Sequence, residues 1–217
     1  MFHPIDMTTW ERAERYRYYM DTARCTYSLT TMVDIAALYR GAKERGLRLT
    51  PCLTYLSARA VNAMPALRFD RDAGGRVGWH DVSHPVYTVF HPESGLFSCL
   101  CTRYDPSFRR FYRAMTEDIE RWRHSTALFP QGELPAGTHD FSSIPWLHYT
   151  EINLNLYTNG DHLPPIITVG RADWEGERLL LPATIQLHHT VADGWHASEY
   201  FRLLQQLADT AADWLDR

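Results

Sequence analysis

The run Gln186-Leu187-His188-His189-Thr190-Val191-Ala192-Asp193-Gly194-Trp195-His196 packs three histidines and a carboxylate into a short stretch. It follows an apolar, strand-like segment and precedes a helical pattern, so its polar groups fall on a strand-to-helix turn. Such turns can hold a loop side chain rigidly at a cleft edge. Strand alternation puts His189 on the side of Ile185 and Leu187, and His188 on the other. A neutral imidazole on that drier side could take a proton as a general base. Two plainer readings stand beside this one: a satisfied core histidine, and Asp193-Gly194 as a turn that delivers the chain into the helix. His188, His189, Asp193 and His196 do not form an expected metal set, because adjacent strand residues point apart and the HExxH spacing is missing.

The elements around this turn can be read from periodicity. Capping-box spacing from Thr8 to Glu11 predicts a helix from about Trp10 to Met20. Ile35, Leu38, Tyr39 and Ala42 share one face of a second helix, Asp34 to Arg45, ended by Gly46. Thr50-Pro51 opens a third, with Leu53, Leu56, Ala60 and Ala63 as its buried stripe and Pro65 as its stop. Residues 67–70 and 76–80 flank Ala73-Gly74-Gly75 as a hairpin, and Tyr87 to His91 and Leu96 to Cys101 read as strands. Asp105-Pro106 caps a long helix carrying Phe108, Phe111, Met115, Ile119 and Trp122, and residues 130–145 read as a loop. Strands are predicted over Tyr149 to Tyr157, Pro165 to Val169 and Arg178 to His189, with a bulge at Pro182. A last helix carries Phe201, Leu204, Ala208, Ala211 and Leu215. The pattern predicts an α/β two-layer sandwich, helices packed on one face of a mixed, mostly antiparallel sheet.

Composition narrows the function. The 217 residues fit one domain, 1–217, and 45% hydrophobic with 13% aromatic residues excludes a disordered chain. A formal net charge of −4 offers no field for a polyanion, so nucleic acid is not an expected partner. Lys43 is the only lysine and sits in a charged run, which disfavours Schiff-base chemistry. No signal core or membrane span is legible, so a cytoplasmic location is expected. Cys25, Cys52, Cys99 and Cys101 form no CxxC pair and read as reduced thiols.

His188-His189-Thr190-Val191-Ala192-Asp193-Gly194 resembles the HHxxxDG motif of the chloramphenicol acetyltransferase family, a branch of the coenzyme A-dependent acyltransferases. Similar blocks run along almost the whole chain: Trp10-Glu11-Arg12, Tyr87-Thr88-Val89-Phe90-His91, Leu128-Phe129-Pro130-Gln131-Gly132, Ser142-Ser143-Ile144-Pro145-Trp146 and Ile152-Asn153-Leu154-Asn155. The resemblance implies the acyltransferase fold, acetyl-CoA as co-substrate with no metal, and chloramphenicol as acceptor. It also implies a homotrimer with active sites between subunits.

By the same resemblance His189 is the base, its ring fixed through a bond to its own carbonyl, and Asp193 pairs with Arg12 to hold the site's shape. Ser142 would stabilise the oxyanion and Thr168 act nearby through water. Tyr18, Tyr19, Cys25, Phe97, Phe129, Leu154 and Ile166 match the acceptor pocket, and Trp146, Arg171 and Arg48 match coenzyme A contacts. Ala23, Cys99 and Trp195 depart from the family pattern. A same-fold acyltransferase for another alcohol or amine, and a non-catalytic binding protein on this scaffold, are the competing readings.

Overall fold

A computed structural model describes residues 1–156 and 161–217. Its main sheet is built from β2 (Thr26–Asp34), β5 (His84–His91), β6 (Leu96–Cys101), β7 (Thr138–Ser143), β8 (Ile166–Val169) and β10 (Arg178–His188), in the order β2-β10-β8-β7-β5-β6. A short β9 (Asp173–Glu175) pairs the start of β10. β10 runs antiparallel to β2 and β8, while β7 is parallel to both β8 and β5. A second, small sheet joins β1 (Phe2–Pro4), β4 (Val77–His80) and β3 (Phe69–Arg71).

Register sorts the side chains of the main sheet onto two faces. Leu181, Ala183, Ile185 and Leu187 of β10 lie level with Ile167 and Val169, Phe141, Tyr87 and Leu100, and all are buried in one core. Helices α2 (Ala36–Glu44), α3 (Leu49–Asn62), α4 (Phe108–Trp122) and α5 (Gly194–Asp209) cover this face with Leu38, Tyr55, Leu56, Phe111, Met115, Tyr200 and Leu204. The opposite face carries Ser28 and Thr30, Thr184 and Gln186, Thr168, Ser142, Thr88 and Phe97. Residues 149–154 cross it: Tyr149 Oη donates to Thr168 O at 2.6 Å, Ser28 Oγ donates to Asn153 Oδ1 at 3.2 Å, and Leu154 N donates to Gln186 Oε1 at 3.0 Å. The chain reaches this crossing by close packing at Gly170, where a Cβ would lie 2.8 Å from Leu147 O and 2.9 Å from both Pro182 and Tyr149.

The sandwich, the hairpin around residues 73–75, the last four helices and strands β5, β6, β8 and β10 follow the sequence reading. Four expectations do not. The predicted strand over 149–157 has no ladder in its described part, 149–156, and Tyr157 lies outside the described residues. Residues 138–143 of the expected loop form β7, inserted between β5 and β8. The first helix is shorter: α1 spans Ala13–Arg17 and continues as a π-turn over Tyr18–Thr22, while Thr8 bonds Asp6 rather than capping. There is no bulge at Pro182, because the β10–β2 register runs unbroken through Pro182↔Met32. Its carbonyl accepts from Gly170 N at 2.9 Å, so its nitrogen, on the same side, faces the gap where β8 ends and β9 begins. A ladder donor is not needed there.

Candidate active site

The geometry of the 189–193 turn is set by one guanidinium. Arg12, just ahead of α1, donates through Nε to Thr190 O at 2.8 Å, through Nη2 to His189 O at 3.1 Å and through Nη1 to Asp193 Oδ2 at 3.0 Å. Its planar fork therefore ties both ends of the 189–193 turn to the N-terminal segment. Asp193 also caps α5: its side chain accepts from the backbone of His196, whose ring in turn meets the backbone N–H of Asp193. Burial pushes the Asp193 carboxyl up, and the bonds from Arg12 and His196 outweigh it, holding the group at about 2.

His189 continues the β10 edge, its N–H donating to Cys25 O at 2.9 Å. Its ring stacks on Tyr19 with centroids 4.1 Å apart and meets the edge of Tyr27 at 5.3 Å. Tyr27 is cross-strand from Leu187, so His189 lies on the helix-packed side, as alternation predicts. His189 Nδ1 is buried with no hydrogen-bond partner among the described residues, and its carbonyl is taken by Arg12. The expected ring-to-own-carbonyl bond is thus not among the bonds present, and stacking orients the ring. Tyr27, which sequence reasoning missed along with the whole of β2, has its phenol pushed well up by burial and by Asp193. His188 points the other way, its Nδ1 2.8 Å from Thr190 Oγ1.

A second centre lies on the open face. Ser142 and Thr168 are register partners on parallel β7 and β8, and both line a cavity of about 470 Å³. Phe97, Leu154, Trp146 and Arg48 line it too, so six of the sequence-derived site residues converge there. Phe90, Ile144 and Ile152 complete the apolar wall; Phe90 meets the edge of Trp146 at 4.8 Å. Ile152 and Phe90 fall within the quoted sequence blocks, yet nothing in their spacing marked them as lining residues. Ile166 is buried on the same face beside Asp140 without reaching the cavity wall. Phe129 and Arg171 lie outside it. Phe129 is exposed on the loop after α4, and Arg171 is held by Asp173 through two bonds of 3.0 Å.

Tyr18, Tyr19 and Cys25 group with His189, not with Ser142. Ser142 is level with Thr168 and Thr184; His189 lies two strands across and five residues further along, roughly 19 Å away at ~3.3 Å per residue and ~4.8 Å per strand. An odd offset along β10 also puts it on the opposite face. One chain therefore presents two separate clusters, one around His189 and one around Ser142. Among the described residues no group of His, Cys, Asp and Glu could hold a metal ion.

A sequence model of chloramphenicol acetyltransferase matches residues 1–205. The chain belongs to the chloramphenicol acetyltransferase family. The chloramphenicol acetyltransferase of Clostridium perfringens is 39% identical over 214 residues, covering 99% of this chain and 98% of its own. Chloramphenicol acetyltransferase 2 of Escherichia coli is 39% identical, covering 96% and 97%. A solved chloramphenicol acetyltransferase superposes with a TM-score of 0.85 at 24% identity, over 96% of this chain and all of the other. The Azotobacter vinelandii dihydrolipoamide acetyltransferase superposes at 0.67 with 18% identity, over 93% and 87%. Both superpositions speak to the fold. Family membership makes this chain an acetyltransferase enzyme, and no helix among its described residues is long and apolar enough to cross a membrane.

Proposed function

We propose that the protein moves the acetyl group of acetyl-CoA to the primary hydroxyl of chloramphenicol, as a cytoplasmic homotrimer whose active sites lie between subunits. The observation that carries this reading is the separation of the half-sites. His189 and Ser142 lie on opposite faces of one sheet, so neither half can do acyl transfer alone, and a neighbouring copy supplies the missing half. Exposed Phe90, Phe97, Trp146, Leu147 and Leu154 around the cavity support a face that another chain covers.

In the ternary complex His189 Nε2 takes the proton of the acceptor hydroxyl as its oxygen attacks the thioester carbonyl carbon. The negative charge gathers on the carbonyl oxygen, where the Ser142 hydroxyl donates a hydrogen bond. The C–S bond then breaks, the ester forms, and His189 returns the proton to the coenzyme A thiolate. Arg12 and Asp193 hold the turn that aims the ring, and Thr168, beside Ser142, orders a water at the same centre. Phe97 and Leu154 form the acceptor wall on the Ser142 side, with Ile166 buried on the same face beside it and Phe129, outside the cavity of a single chain, adding to it from the segment along β6; Tyr18, Tyr19 and Cys25 close it from the His189 side. Trp146 packs on coenzyme A and Arg48 meets its phosphates. Arg171 is a weaker phosphate partner because Asp173 already neutralises it.

Free thiol released from acetyl-CoA on adding chloramphenicol tests the reading. Release is expected from the wild type and not from His189→Ala. A folded trimer that releases no thiol with chloramphenicol but does with another alcohol or amine would replace the acceptor and keep the chemistry.

A further inference from the structure

The end of α4 is sewn to the free edge of β6 by a buried pair that the reaction does not use. His91, at the end of β5, and Ser98, in β6, are both buried on the helix-packed side of their hairpin. His91 Nδ1 donates to Arg123 O at 3.0 Å, just past the C-terminus of α4. Its Nε2 lies 2.9 Å from Ser98 Oγ, which is 2.7 Å from Ala127 O and 3.1 Å from Ser125 O. The chain then runs on along β6. Cys99 N donates to Leu128 O at 2.7 Å, and the Gln131 side chain accepts from Cys101 N at 2.7 Å and donates to Cys101 O at 3.1 Å. An irregular segment thus covers an edge that would otherwise expose unpaired backbone groups.

Hydrogen counting shows why both side chains are needed. Nδ1 faces a carbonyl and donates to it, which in a neutral imidazole leaves Nε2 without a hydrogen; the single hydrogen of the Ser98 hydroxyl then serves Nε2 and the two carbonyls that surround Oγ. Removing His91 takes this donor from Arg123 O, and removing Ser98 takes the hydroxyl from Ser125 O and Ala127 O.

We propose that His91 and Ser98 are positioning residues for the acceptor: they clamp residues 123–131 against β6 and so fix Phe129, carried by that segment, relative to Phe97, carried by the strand. This rests on the acceptor role of Phe97 and Phe129 in the function proposed above. Arg48, Trp146 and the His189 turn lie outside the clamp, which separates an acceptor effect from a general loss of structure.

The test is Ser98→Ala together with His91→Leu and His91→Asn, where asparagine keeps a donor toward Arg123 O. Ser98→Ala and His91→Leu are expected to raise the KM for chloramphenicol about tenfold, with kcat and the KM for acetyl-CoA within about twofold of wild type. His91→Asn should fall between them and wild type. Amide hydrogen exchange at residues 125–131 should quicken about tenfold in the first two variants while α5 is unchanged. The proposal is overturned if both KM values rise together, or if exchange at 125–131 stays at the wild-type rate. Should the wild type itself not acetylate chloramphenicol, the acceptor assignment fails; the exchange experiment still decides the clamp, and the KM split is then read with the acceptor that is turned over.

Discussion

The two half-sites are built on opposite plans. The His189 turn is cross-bonded and polar: one arginine makes three hydrogen bonds to it, Asp193 caps the helix that follows, and two tyrosine rings hold the imidazole. The Ser142 cavity is walled by apolar side chains, several of them exposed, with the hydroxyls of Ser142 and Thr168 held by strand register. The contrast matches what each would do in the proposed reaction. A proton-transfer group must be aimed closely, and slight misplacement is expensive in rate. A binding wall needs shape and apolar area more than fixed polar bonds.

The sharpest way to break this comparison is complementation. His189→Ala and Ser142→Ala are each expected to lower kcat, by about 10²–10⁴-fold for the base and about 10²–10³-fold for the oxyanion donor. Refolding the two inactive variants together should restore about a quarter of wild-type activity, since random mixing pairs an intact histidine with an intact serine across one boundary in four. No recovery would mean that each chain holds a complete site. Arg12→Ala comes next: it leaves two carbonyls and the Asp193 carboxylate without their partner and should cost about 10²-fold in kcat, with KM for either substrate little changed.

Smaller effects sharpen the contrast. Arg48→Ala should raise the KM for acetyl-CoA several-fold, to about five times wild type, and Arg171→Ala by less than about twofold, because Asp173 already satisfies it. Acid should then weaken the halves in sequence. His139, buried in β7 against Ser83, is held neutral by burial down to about 3. The unfolded chain takes up that proton below about pH 6.5, so stability falls progressively from there toward pH 3. The Asp193 carboxyl is held at about 2, so its contribution is full above the ordinary carboxylate range near pH 4 and is lost as pH falls toward 2. Urea midpoints across this range should show the first loss abolished in His139→Gln and the second in Asp193→Asn.

The His189 half was legible because its parts are contiguous: strand, turn, cap and helix follow one another, and alternation alone gave the side of the sheet that His189 occupies. The Ser142 half was assembled from β7, β8, β5 and the segment 144–154, whose neighbours are set by tertiary pairing. Only the family resemblance pointed to it. The misread segment 149–156 explains itself. Ile152 and Leu154 do alternate with Asn153, but the apolar pair lines the cavity and the asparagine bonds Ser28 of β2. The alternation is real, and the missing ingredient is a ladder, since β2 already holds the place beside β10. That strand escaped notice because Thr26 to Asp34 mixes hydroxyls and apolar residues without a clean period. Residues 138–143 were hidden by the glycines and prolines that flank them.

The tight passage at Gly170 carries a lesson for anyone who maps this enzyme by mutation. With backbone on one side and Pro182 and Tyr149 on the others, the position has room for a hydrogen atom and little else. In a saturation library scored for activity, 170 will appear as intolerant as a reacting group. Yet it touches the chemistry only by letting the chain turn onto the open face. Fitness data will therefore draw a halo of apparent active-site positions along this crossing, and soluble yield measured in parallel will tell the two kinds apart.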